Sequence, residues 1–182
     1  MSRNERVLRR TARVFGAVMA LFFVVGSGAP LFAGEQLTLS FSTTSVGGKY
    51  APKHVLAVWV VDQDGKLVKT LAVQGRKRAK HLSEWRAAAD GGKFDGVSGA
   101  TRKAHNPFSV TWDLRDSRGK EVAAGHYRIL LEMTDDNSKK NKFHRSSLSF
   151  EKDGKARRQQ VGAKDGFENI ELEYVVGAGG ER

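Results

Sequence analysis

The sequence predicts an all-β fold, a β-sandwich of about seven strands with one short helix. Two observations indicate this fold: short segments alternate apolar and polar residues, and clusters of Gly, Asp and Asn separate these segments as turns do. Only one stretch has helix-forming composition. The segment 34–176 has the length of one domain with a single core, and no second domain is implied.

Seven segments are the strand candidates. Leu37–Thr43 alternates apolar and polar side chains, which predicts a strand with one buried face. Val55–Val61 is almost entirely apolar, and Lys66–Val73 follows it after the turn-forming pair Asp64-Gly65, so the two predict a β-hairpin. The remaining strand candidates are Phe108–Leu114, His126–Met133, Ser146–Phe150 and Asn169–Val176.

The helix candidate is Ala79–Ala89, which runs directly into the glycine-rich segment Asp90–Gly99. The basic run Gly75–His81 overlaps its start and has two interpretations, a solvated loop or a docking surface for an acidic redox partner. The last residues, 177–182, are small and polar and are predicted to be disordered.

The N-terminus has the layout of a secretory signal peptide. Five arginines precede the apolar run Phe15–Val25, and small and helix-breaking residues follow it. The apolar run is too short to span a bilayer, which needs about 20 helical residues. We therefore predict a signal peptide over residues 1–33, with cleavage after Ala33. The mature protein is then periplasmic and is not an integral membrane protein.

Composition excludes several classes of function. The chain has no cysteine, so neither disulfides nor thiol chemistry are available to it. Its net charge is +11, and loss of the leader leaves it at about +7. An exported protein rarely meets nucleic acid, so this basic charge does not predict nucleic-acid binding. The five histidines lack the close spacing of a metal site, and no metal centre is predicted.

The segment Trp112–Tyr127 contains a Trp-Asp strand end, a turn with Gly119, and then Gly125-His126-Tyr127. This pattern resembles the immunoglobulin-like repeat of flagellar hook-capping proteins. The resemblance implies an immunoglobulin-like β-sandwich and concerns the fold only.

Residues 95–101 follow the pattern Asp-x-x-Ser-Gly-Ala-Thr. This pattern resembles the acceptor motif of periplasmic flavin transferases, which attach flavin mononucleotide (FMN) to the final threonine through a phosphoester. The resemblance implies covalent FMN on Thr101. The hydroxyl must enter another enzyme's active site, so we expect an exposed, slim loop. The other motif residues of this cofactor site are Asp95, Ser98, Gly99 and Ala100.

Residues that follow the motif have expected roles beside the flavin. Arg102 and Lys103 can neutralise the phosphate by charge-assisted hydrogen bonds. His105 either reaches the flavin or its phosphate, or is a loop histidine in contact with solvent. Four aromatic residues are candidates to stack on the flavin ring: Trp85, Phe94, Phe108 and Trp112.

Most of the chain after the leader also resembles the predicted periplasmic proteins catalogued as domain of unknown function 2271. The residues that support this resemblance are Tyr50–His54, Ala57–Val60, Lys69–Leu71, Trp85, Asp95–Thr101, His105 and Val110–Asp113. The resemblance implies a secreted sandwich that accepts flavin and serves in electron transfer outside the cytoplasm.

The predicted function is therefore that of an exported electron carrier, which is not an enzyme by itself. Its expected partners are a periplasmic flavin transferase and a membrane or periplasmic redox protein. Covalent attachment suits export, because a dissociable cofactor is lost outside the cytoplasm. The alternative is a cofactor-free immunoglobulin-like binding or structural module, in which Ser98–Thr101 is only a turn.

The signal-peptide prediction is tested by the intact mass of the secreted protein. We expect the mature chain to begin at Gly34 and to lack the arginine-rich leader. A membrane-bound product that retains Phe15–Val25 would contradict this prediction.

Overall fold

The computed structural model describes residues 34–45, 47–90, 96–136 and 144–177. The predicted signal peptide, its cleavage site and residues 178–182 of the predicted tail lie outside these ranges, as do Phe94 and Asp95. Within the described residues, nine strands form two sheets. This arrangement confirms the predicted all-β sandwich.

The four-stranded sheet has the order β5-β1-β9-β8, and the five-stranded sheet has the order β4-β3-β2-β6-β7. A 3₁₀ helix, Arg76–His81, and the helix α1, Ser83–Ala88, lie between β3 and β4 in the chain. The strands are β1 Glu35–Thr43, β2 Val55–Asp62, β3 Leu67–Gln74, β4 Val97–Gly99, β5 Phe108–Trp112, β6 Gly125–Thr134, β7 His144–Lys152, β8 Arg157–Val161 and β9 Phe167–Val176.

All seven predicted strands are present, and β4 and β8 are additional. The predicted strand Phe108–Leu114 ends at Trp112, because Leu114 adopts a positive φ of 53° and turns the chain. The predicted helix Ala79–Ala89 is partly wrong. The chain there forms the end of the 3₁₀ helix and then α1, and the two helices meet at Leu82.

Two hydrophobic clusters explain the apolar pattern of the strands. The larger cluster lies between the sheets and includes Leu39, Val58 and Trp112. The smaller one lies under the two helices and includes Trp59 and Trp85. Since β2 contributes alternate residues to both clusters, it is buried on both faces, which accounts for its continuous apolar sequence.

A buried carboxylate on β6 holds helix α1 in place. Glu132 is fully buried, and its side chain accepts hydrogen bonds from the backbone N–H of Glu84 at 3.3 Å and of Trp85 at 2.9 Å. These are donors of the first helical turn, which have no partner inside the helix. Arg145 forms a salt bridge with the same carboxylate at 3.5 Å. The short helix therefore depends on a tertiary contact.

A pair of valine variants tests the core. Val58→Ala removes two buried methyl groups and should lower the free energy of unfolding by about 2 kcal/mol. Val97→Ala is the matched control, because Val97 is 67% exposed and its change should stay within about 0.5 kcal/mol. Urea denaturation measures both. Equal losses from the two variants would contradict the assignment of Val58 to the core.

Candidate functional site

The middle of the acceptor motif forms an edge strand. Val97–Gly99 is β4, and it pairs in parallel with β3, with Ser98 opposite Val73. The expectation of a loop was therefore wrong for these residues, as was a turn over Ser98–Thr101. The other strand pairings of the described residues are antiparallel.

Glycines allow β4 to approach β3 closely. A Cβ atom at Gly96 would lie 2.1 Å from the backbone oxygen of Thr70, and one at Gly99 would lie 2.0 Å from the Oε1 atom of Gln74. Backbone cannot move aside, so a side chain at Gly96 would displace the strand. Gly96 thus has a local structural reason that is independent of any modifying enzyme, whereas the Gln74 side chain opposite Gly99 is flexible and can move aside.

The open edge of β4 presents motif residues to solvent. The carbonyl of Gly99 accepts a hydrogen bond from the N–H of Gly75 at 2.9 Å, so the backbone groups of Gly99 face β3. The N–H and C=O groups of successive residues in a strand point to opposite sides, so those of Ser98 face the open edge. Ser98 and Ala100 are both exposed.

Thr101 directly follows this edge and is half-buried. Its Oγ1 atom lies 3.1 Å from the position of a Cβ atom at Gly75. Gly75 has a φ of +84°, so glycine suits both the backbone conformation and the space beside the hydroxyl. The 3₁₀ helix begins at the next residue, so the fold places the start of the basic run beside Thr101.

Arg102 is fixed by the fold. Its backbone exchanges two hydrogen bonds with His54, at 3.0 and 3.1 Å. Its Nη2 atom donates to the carbonyl of Asn106 at 2.6 Å, and its guanidinium lies 5.0 Å from the centre of the Phe108 ring. Burial lowers the pKa of Arg102 from its usual value. Lys103, in contrast, is exposed.

His54 and His105 form a stacked pair that the sequence did not predict. Their ring centres are 4.5 Å apart and their planes differ by 4°. The hydroxyl of Thr43 lies 3.1 Å from Nε2 of His54 and 3.0 Å from Nδ1 of His105. Nδ1 of His54 lies 3.0 Å from the carbonyl oxygen of Pro52. His105 lies in the loop before β5 and is half-buried, and its ring packs on that of His54.

Burial keeps this pair uncharged. Desolvation lowers the pKa of His54 from 6.5 to about 4, against the opposing effect of its hydrogen bond to Pro52. Desolvation also lowers the pKa of His105, against the opposing charge of Asp135, and the charge of Arg102 adds to the lowering. Both imidazoles are therefore neutral at pH 7.

Two of the aromatic candidates cannot stack on a flavin. Trp85 is 2% exposed and Trp112 is 1% exposed, and both indole N–H groups donate inside the protein. Phe108 is half-buried beneath Arg102. The sequence identified these residues as aromatic, but it did not show that their side chains are buried.

Neither a metal-binding cluster nor a membrane-spanning helix is found among the described residues. In these ranges no three His, Cys, Asp or Glu side chains come together as a group that can hold a metal ion. In the same ranges no helix is both long enough and apolar enough to cross a membrane.

Fold and site together define a β-sandwich with an exposed edge strand in a glycine-rich segment. The family model described as "Predicted periplasmic protein (DUF2271)" matches residues 36–168, so the chain belongs to this family. The match extends from β1 into β9 and agrees with the periplasmic location predicted from the leader. No curated protein and no solved structure gives a significant match.

The buried histidine predicts a loss of stability in weak acid. Unfolded His54 takes up a proton near pH 6.5, but folded His54 does so only near pH 4. Between these values the unfolded state binds more protons, so stability is complete above pH 6.5 and falls towards pH 4. The loss from this residue is on the order of 3 kcal/mol.

Urea denaturation across this pH range measures the effect. His54→Gln should flatten the dependence on pH, while His126→Gln, which alters an exposed histidine, should retain it. Equal slopes for wild type and His54→Gln would contradict the assignment to His54.

Proposed function

We propose that this protein is a periplasmic electron carrier with FMN attached covalently to Thr101. The observation that supports the proposal is the position of the motif: its residues form an exposed sheet edge that leads directly to Thr101. A transferase must reach both the hydroxyl and the backbone around it. An edge strand without bulky side chains at Gly99 and Ala100 meets that need.

The positive charge near Thr101 suits an attached phosphate. Lys77, Lys80 and Lys103 are exposed, and no salt bridge between described residues involves them. Burial lowers the pKa of His81, and the charges of Lys80 and Arg78 lower it further against the opposing charge of Asp136. Arg102 instead contacts the backbone of Asn106, so the exposed Lys103, two residues after Thr101, is the better candidate for the phosphate.

Bound FMN supplies redox chemistry that amino-acid side chains lack, and the protein supplies position and charge. The protein is then the substrate of a flavin transferase and a carrier between redox partners. The 3₁₀ helix begins directly after Gly75, which neighbours Thr101, and its basic residues would attract an acidic partner surface towards the flavin. We propose no catalytic residue in this chain.

A cofactor-free binding or structural module is the second candidate. The close contact of Gly96 with the backbone of β3 favours it, because it explains this glycine without a transferase. The two candidates differ in the colour of the protein. Flavin absorption in protein purified from the periplasm supports the carrier.

Threonine variants test the attachment site. Thr101→Ala should abolish labelling, because the hydroxyl oxygen forms the phosphoester. Thr101→Ser should retain part of it, since the nucleophile remains but the methyl group that restricts its rotamer is lost. Thr101→Ala should change the free energy of unfolding by no more than about 0.5 kcal/mol. The assay is co-expression with a flavin transferase, followed by flavin fluorescence of the denatured protein on a gel.

Thr111→Ala is the matched control, because Thr111 is exposed on β5. This variant should be labelled on Thr101 to the same extent as the wild type. A fluorescent Thr101→Ala band would show that another residue is the attachment site. A wild type that never fluoresces would exclude the carrier and favour the cofactor-free module.

A further inference from the structure

Three separate chain segments meet at one end of the sandwich. The N–H of His54 donates to the carbonyl oxygen of Arg102 at 3.0 Å, which joins the turn before β2 to the segment after β4. The guanidinium of Arg78, in the 3₁₀ helix, lies 5.7 Å from the centre of the Tyr50 ring, which joins this helix to the same turn. The three segments therefore form one surface. We call it the basic end, and it consists of residues 49–53, 76–81 and 101–103.

The basic end carries an excess of positive charge. Two carboxylates act on the histidines here, Asp136 on His81 and Asp135 on His54. Six cations outnumber them. All six are exposed, and no salt bridge between described residues involves them. They are Lys49, Lys53, Lys77, Arg78, Lys80 and Lys103.

An aromatic and apolar turn lies between two of these cations. Lys49 and Lys53 flank the segment 50–52, which reads Tyr-Ala-Pro and whose last two residues are exposed. The ammonium of Lys49 lies 5.9 Å from the centre of the Tyr50 ring. Tyrosine, and lysine with its apolar stem, suit the boundary between lipid headgroups and acyl chains. An acidic protein would need the cations alone, so this turn favours a lipid surface.

The opposite end of the sandwich has a mixed charge. β2 begins at the basic end and runs for eight residues, so the two ends are about 25 Å apart. The N–H of Ser117 donates to the carbonyl oxygen of Val68 at 3.1 Å, which places the turn 116–121 at the start of β3. Carboxylates and cations alternate at this end. They include Asp62, Asp64, Lys66, Asp116, Lys120 and Glu121. The difference between the ends orients the molecule towards a negatively charged surface.

We propose that the basic end binds the anionic headgroups of a phospholipid membrane, with the segment 50–52 at the headgroup boundary. Such binding is peripheral, because the cations attract the surface and no membrane-spanning segment is needed. Thr101 belongs to the basic end, so a flavin carried there would lie near the membrane. The inference goes beyond the proposed function and needs no flavin, so unlabelled mature protein tests it.

Sedimentation with vesicles tests the binding. Vesicles of equal parts phosphatidylglycerol and phosphatidylcholine should bind the protein at about 0.15 M salt, and vesicles of phosphatidylcholine alone should not. About 1 M salt should release it, because the screening length falls from about 8 Å to about 3 Å. The double variant Lys77→Glu and Lys80→Glu should lower the partition coefficient at least about tenfold.

The matched control is the double variant Lys66→Glu and Lys120→Glu, which changes the net charge equally at the opposite end. Both lysines are exposed. Charges about 25 Å from the membrane are screened at about 0.15 M salt, so this variant should bind nearly as the wild type does. An equal loss from both double variants would show that net charge alone decides binding, and would overturn the assignment to the basic end.

A fluorescent label tests which end touches the lipid. The chain has no cysteine, so a polarity-sensitive dye attaches only to the residue introduced by Ala51→Cys or, as the control, by Gln63→Cys. Ala51 lies in the segment 50–52, and Gln63 is exposed in the turn after β2. Emission from position 51 should shift to the blue with anionic vesicles, and emission from position 63 should not. A shift at position 63 alone would overturn the inference.

The remaining outcomes identify other ligands. A wild type that binds soluble poly-glutamate but no vesicles would assign the basic end to an acidic protein and overturn the inference, while the proposed function would stand. Release by inorganic phosphate, beyond that by chloride of equal ionic strength, would indicate a site for free phosphate and overturn it too. If the glutamate variants do not fold, Lys77→Ala with Lys80→Ala decides, and wild-type binding by that variant would overturn the inference.

Discussion

Two backbone hydrogen bonds between His54 and Arg102 hold the residues after Thr101 against the start of β2, and the candidate site depends on them. On the other side of Thr101, the hydrogen bond from Gly75 to Gly99 fixes the chain to the end of β3. Thr101 therefore lies between two anchored points. Its hydroxyl has a defined position although the motif is at the edge of the molecule.

The strands were predictable because burial imposes a period on the sequence. β1 has one buried face and alternates, and β2 is buried on both faces and is continuously apolar. The two unpredicted strands lack these signals. Most residues of β8 are polar and exposed, and β4 is a short segment in a glycine-rich stretch. These two strands are recognised only by their pairing, β4 with β3 and β8 with β9.

The candidate site was predictable where its signal is local. Residues 95–101 are adjacent in sequence, so the resemblance to an acceptor motif needs no knowledge of the fold. The contacts of Thr101 with Gly75 and of His105 with His54 join distant parts of the chain, and one sequence has no signal for them. The same limit applies to Trp85 and Trp112, whose burial is set by the sheets around them.

Strand β4 has a second effect on the molecule, because it covers the side of β3 that faces away from β2. A bare strand edge offers a row of N–H and C=O groups on which another chain can pair. β4 pairs with Ala72, Val73 and Gln74, and its own open edge is too short to serve as a new template. The residues that resemble a modification signal thus also cover the last three residues of β3. Substitutions that open this pairing expose that part of the edge even where no flavin is attached.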